Sequence, residues 1–290
     1  MLFDRHQETP FDLRFRLFGT PVRVHPFFWL IVTFLNFELI RYGLHVLLLW
    51  VFCVFVSILL HEMGHIWMGK LFGTRGQVIL AGMFGLALGA SYGIPERSKR
   101  ILVYLAGPGI QLLFFAGLLA LLNIARPMPQ IPAEMRQEWT MKQWFYLLWY
   151  IPDDWPELLG LFIHFLLAIN WWWPIINLLP IWPLDGGQVS RELFTWQNPE
   201  YGVRNSLALS FAAALIVTVN ALSAAMQGPT IPYLPSGDRF FILFFAIFTY
   251  ESFVMLRFEN ARLQSGWAGG LRYDDERMPW ENDPDGWKNG

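Results

Sequence analysis

Residues 57–67 read SILLHEMGHIW and close a stretch, 44–68, that is otherwise apolar. A helix over that stretch is long enough to cross the roughly 30 Å hydrocarbon core of a bilayer, so it reads as a membrane span. Two histidines and a carboxylate then stand at one end of a helix in lipid. Groups of that kind are expensive there, which makes them functional candidates.

The rest of the chain agrees with a membrane setting. Hydrophobic residues make up 54% of the sequence and charged residues 15%, against about 25% charged in soluble domains. Apolar blocks at 26–41, 44–68, 99–124, 157–179, 206–226 and 238–257 predict an all-α polytopic membrane protein of about six transmembrane helices. On that plan the membrane domain covers 26–257. A polar cytoplasmic arm, 1–25, precedes it and a flexible cytoplasmic tail, 258–290, follows. The arm carries Asp4, Arg5, Glu8, Asp12, Arg14, Arg16 and Arg23, too many charges for a cleavable signal peptide. Residues 127–156, dense in Pro and Trp, read as an outside loop at the headgroups. With both termini cytoplasmic, only Arg41, Arg126, Arg136, Lys142 and Arg239 of the 21 Lys and Arg fall outside, the asymmetry that cytoplasmic loops favour. The HEMGH end of the second span then lies near the cytoplasmic side. A net charge of -2 gives no sign of nucleic-acid binding.

Residues 76–90, GQVILAGMFGLALGA, are apolar but short. As a helix they would reach about 21 Å, less than the hydrocarbon core. Gly82 and Gly85 divide them into two arms, which suits a membrane-embedded re-entrant β-hairpin; a re-entrant helix or an interfacial loop is the alternative. Irregular backbone at membrane depth has to be shielded by protein.

His61-Glu62-Met63-Gly64-His65 has the form H-E-x-x-H. On a helix the i, i+4 spacing stacks His61 and His65 on one face, where both rings can reach one ion. Glu62 points about 100° away, where a base acting on water at that metal would sit. The single cysteine, Cys53, excludes a Cys-based zinc cluster, so a third ligand has to be His or a carboxylate. His164 lies about 31 Å from Asp185 along a continuous helix, and His25 at the mouth of the first span reads as an interfacial anchor. Asp185 is the better candidate. It sits in NLLPIWPLDGG, 177–187, where Pro180 and Pro183 end a helix and Gly186 and Gly187 let the backbone turn sharply. Asp185 can be a metal ligand or the cap of the helix that follows.

HEMGH at 61–65, NLLPIWPLDGG at 177–187, Ala106-Gly107-Pro108 and GTPVRVHP at 19–26 together resemble the site-2 protease family of intramembrane zinc metalloproteases, over roughly residues 19–190. The resemblance implies one Zn2+ per chain held by His61, His65 and Asp185, with Glu62 as catalytic acid and base. It implies a substrate-positioning or charge-stabilising role for Asn177, whose side chain can alternatively hold the kinked helix end. Residues 76–90 match the family's hairpin, whose edge would take up an unwound substrate strand past Gly82 and Gly85. The implied partner is a membrane protein with a transmembrane helix, met within the lipid bilayer. The chain departs from the pattern at Gln111 in GPGIQ, where relatives often carry Asn, and leaves no room for an inserted PDZ or an appended CBS domain. A catalytically silent zinc- or client-binding protein of the same fold is the rival reading, and the intact Glu62 argues against it. A metal transporter would spread polar groups along a path, whereas Asn220 and Glu251 are isolated.

Overall fold

The structure, a computed structural model of the 290-residue chain, describes residues 8–82, 84–125, 151, 155–231 and 239–264. The tail 265–290 and nearly all of the loop 127–156 lie outside the described residues.

Among the described residues, five helices are long and apolar enough to cross a membrane: α2 (Leu44–Leu71), α3 (Arg97–Ala125), α4 (Glu157–Asn177), α6 (Gly202–Ala225) and α7 (Arg239–Gln264). The span expected at 26–41 is not one of them. There α1 covers only Pro26–Leu35, about 15 Å of helix, and a 3-10 helix follows over Phe37–Tyr42. Its start is set locally: the His25 ring accepts a hydrogen bond from the Phe27 N–H at 3.1 Å, and Pro26 occupies the first helical position. Asn36 leaves helical geometry at φ -131° and ends it.

Within the stretch read as a polar arm, residues 13–24 form a hairpin. Strands β1 (Leu13–Leu17) and β2 (Thr20–Val24) pair antiparallel, with Leu17 opposite Thr20 and a two-residue turn of Phe18 and Gly19, both at positive φ (48° and 74°). Strand β2 alternates, burying Thr20, Val22 and Val24, and pairs in parallel with β3 (Gln77–Ala81), Val22 against Val78 and Val24 against Leu80. Strand β4 (Phe84–Leu88) completes a sheet of order β1-β2-β3-β4. The strands within 76–90 thus occur where a hairpin was expected, and Gly82, at φ 63°, supplies the left-handed turn that a side chain disfavours.

The chain divides into two compact units, each built from several stretches of sequence. One comprises residues up to Gly64, Gln77–Ala87 and Gly107–Pro174; the other comprises His65–Gly76, Leu88–Ala106 and residues from Ile175 onward. In the first, Phe28 packs edge-on against Trp29 and Phe55, and Phe115, Leu122, Ile163 and Leu167 form a separate buried cluster. In the second, α6 and α7 pack antiparallel, since Ser210 bonds Ser252 (2.7 Å) and Thr218 bonds Thr249 (3.1 Å). Phe244, Phe245 and Phe248 of α7 are buried and pack edge to face on one another. Hydroxyl pairs of this kind join helices in lipid, where water cannot satisfy them.

Candidate metal centre

Both histidines of the motif are buried on α2, and each is held by its Nδ1. His65 Nδ1 lies 2.7 Å from the carbonyl of Val103 on α3, and a carbonyl can only accept, so that nitrogen donates. His61 Nδ1 lies 2.9 Å from Gln111 Oε1, while Gln111 Nε2 donates to the carbonyl of Ser57 at 3.0 Å. With its amide nitrogen committed to Ser57, Gln111 offers His61 only an acceptor, and His61 also donates from Nδ1. Each ring therefore keeps Nε2 for a ligand, the arrangement by which outer hydrogen bonds fix a metal-binding tautomer. Asn170 braces the same turn, donating to Ser57 Oγ at 2.8 Å and to the Leu166 carbonyl at 2.9 Å.

His65 Nε2 faces Asp185 Oδ1 at 3.4 Å. A lone pair and a carboxylate oxygen repel at that range unless a cation sits between them. A tetrahedron with bonds of about 2.1 Å has edges of about 3.4 Å, so the spacing suits two ligands of one zinc. His61, His65 and Asp185 each offer one ligand atom, and these atoms lie within 4.8 Å of one another. Two imidazole nitrogens and a carboxylate make the three-ligand, open-position set of a catalytic zinc, and the residues fit that ion.

Asp185 is the first residue of α5 (Asp185–Gln197), and the cap position belongs to Leu184, with no side-chain capping bond. Its carboxylate is turned to His65 instead. Gly186 and Gly187 serve differently from the sharp turn expected of them. Both lie inside α5, where a β-carbon on Gly186 would overlap the backbone of Leu178 and Leu179, and one on Gly187 would meet the Ile181 carbonyl at 2.5 Å. Glycine is required there because the helix start packs directly on the preceding backbone. The turn is pinned from the C-terminal helices as well: the Trp182 N–H donates to Ser210 Oγ at 2.7 Å, and Ser210 is in turn bonded to Ser252.

Glu62 stands outside the ligand set, buried next to His61. A β-carbon on Gly85 of β4 would overlap the Glu62 carboxylate, so this strand runs directly over the acid. Asn177 is the last residue of α4 and is buried. Gly82 lies at the turn between β3 and β4. His25 is taken up in starting α1. The candidates His61, His65 and Asp185 were legible in the sequence, but Gln111 as an outer partner and the Val103 carbonyl were not. A polar side chain in mid-span was the available signal for the first; a carbonyl has none.

Fold and site together define an integral membrane protein of several apolar helices with a His-His-Asp cluster whose histidines are buried. The profile of Peptidase family M50 matches residues 49–219, more than half of the sequence, and the chain belongs to that family. Over 185 residues it is 28% identical to Stage IV sporulation protein FB of Bacillus subtilis (strain 168), a match covering 61% of this chain and 49% of that protein. The chain thus spans about half the length of the curated relative it matches. The solved structure of a Site-2 Protease from Methanocaldococcus jannaschii superposes with a TM-score of 0.51 at 21% identity, covering 84% of this chain and 94% of that one. That likeness is one of fold, and with the family match it bears out the resemblance to site-2 proteases.

Proposed function

We propose that this chain is a zinc-dependent intramembrane endopeptidase that hydrolyses a peptide bond in or beside a transmembrane segment of a membrane protein. The observation that carries the proposal is the His61, His65 and Asp185 set with a second carboxylate, the buried Glu62, next to it in sequence. His61, His65 and Asp185 would hold one Zn2+, which when bound supplies a Lewis acid that polarises a carbonyl and lowers the pKa of water. Glu62 takes the proton of the attacking water and delivers it to the leaving amine.

Among the described residues β4 stands at the end of the sheet order, an edge that can accept a further strand. A substrate helix hides its carbonyls in its own hydrogen bonds and must unwind to be cut; pairing along β4 replaces some of those bonds. Because Gly85 lies against Glu62, a strand added there passes beside the acid. Asn177 is assigned to holding the substrate or the charge that develops on its carbonyl. The Lys and Arg gathered in residues 70–100, 191–204 and 257–262 support a site near the cytoplasmic face, with the end of α7 on that side.

The test compares wild type with Glu62→Ala and Asp185→Ala. Zinc per polypeptide is measured by elemental analysis and membrane-peptide cleavage by mass spectrometry. Glu62→Ala is expected to keep zinc and lose cleavage, and Asp185→Ala to lose both. Equal cleavage by wild type and Glu62→Ala would sink the mechanism, and undiminished zinc in Asp185→Ala would sink the ligand assignment.

A further inference from the structure

Arg100 and Glu192 form a buried ion pair with no place in the chemistry above. Arg100, in the first turn of α3, donates from Nε to Glu192 Oε1 at 2.6 Å and from Nη2 to Oε2 at 2.8 Å. Its Nη1 donates to the carbonyls of Ile94 at 2.8 Å and Pro95 at 3.1 Å. The two side chains are 10% and 1% exposed. Replacing a buried pair by apolar residues of similar volume is often neutral or stabilising, so stability alone does not account for this one. A forked contact supplies geometry instead, since two parallel bonds between planar groups fix rotation as well as distance.

The positions of the two partners say what that geometry is for. Val103, one turn beyond Arg100 on α3, holds His65 by its carbonyl. Glu192 lies two turns beyond Asp185, on the same face of α5. One metal-binding side chain is thus anchored to α3, the other begins α5, and the fork locks these two helices together. We propose that the Arg100–Glu192 pair is a positioning clamp that sets the placement of Asp185 against His65, and so the affinity and geometry of the metal site; this rests on the zinc reading given above. Metal–ligand distances hold to within about 0.2 Å. A slide of α5 by a small part of its 1.5 Å rise per residue is enough to spoil them.

Cobalt(II) titrated into the full-length metal-free protein in detergent tests the clamp, reading the dissociation constant and the visible absorption that reports coordination geometry, with thermal unfolding in parallel. Glu192→Gln and Arg100→Lys are each expected to weaken cobalt binding about tenfold or more and to alter the absorption. The double variant Arg100→Met/Glu192→Leu is expected to regain the thermal stability the single variants lose, without regaining affinity or spectrum. Wild-type affinity and absorption in that stable double variant would overturn the clamp while leaving the metal site standing. Arg100→Lys keeps the charge and loses only the fork, so wild-type binding by it overturns the clamp even where the double variant does not fold. Cobalt bound as tightly by Asp185→Ala as by wild type would overturn the site, and the clamp with it.

Discussion

At Gly85 the absence of a methyl group leaves Glu62 its place. Alanine there would overlap the carboxylate, and Glu62 would have to swing away from water at the site. Gly85→Ala is expected to lower cleavage at least about tenfold with zinc content unchanged, because general acid–base catalysis contributes that much or more. Undiminished turnover would show that the acid tolerates the displacement. Gln111→Leu acts on the metal instead. It removes the acceptor for His61 Nδ1 and is expected to weaken zinc by about 10–100-fold in competition with a chelator. His61 and His65 were legible because their spacing lies within one helix, where 3.6 residues per turn fixes their relation. Gln111 was not, being 50 positions from His61 and brought to it only by packing. The Val103 carbonyl was invisible for a deeper reason, since every residue carries one.

Among the elements, long apolar helices were the easiest to read from the sequence and short ones the hardest. Before Glu38 the block 26–41 carries only Thr33 and Asn36 as polar residues, and hydropathy alone could not show that Asn36 stops α1 after ten residues. Residues 13–24 were weighed by charge, and their alternation passed unread, although Thr20, Val22 and Val24 mark one buried face of a strand. The turn before α5 was legible as a break but not as a close contact of backbones. Gly186→Ala tests that contact. A methyl group has nowhere to go between the carbonyls of Leu178 and Leu179, so α5 must shift and carry Asp185 with it. The expected outcome is a loss of about 1–3 kcal/mol in thermal unfolding in detergent and a drop in zinc affinity. Zinc binding that survives the substitution would detach Asp185 from the placement of α5.

For the molecule as a whole, loop charge predicts the direction of insertion, and one feature makes it easy to measure. Cys53 is the single cysteine and is buried, so an introduced thiol reports with little background. In intact cells a membrane-impermeant maleimide is expected to label Gln227→Cys, beyond the outer end of α6, and to reach Glu200→Cys only after permeabilisation. The reverse pattern would invert the orientation and move the metal site to the outer face. The length of α2 then ties the chemistry to the membrane that holds it. This helix of 28 residues is about 42 Å long, more than the hydrocarbon core, with His61 about 25 Å from its start at Leu44. Bilayer thickness therefore acts as a depth gauge for the site: in vesicles of longer acyl chains the HEMGH turn sinks further below the headgroups, and hydration of Glu62 falls. Cleavage in reconstituted vesicles should decline as acyl length grows, and a rate indifferent to lipid length would show that water reaches the site by a route of the protein's own making.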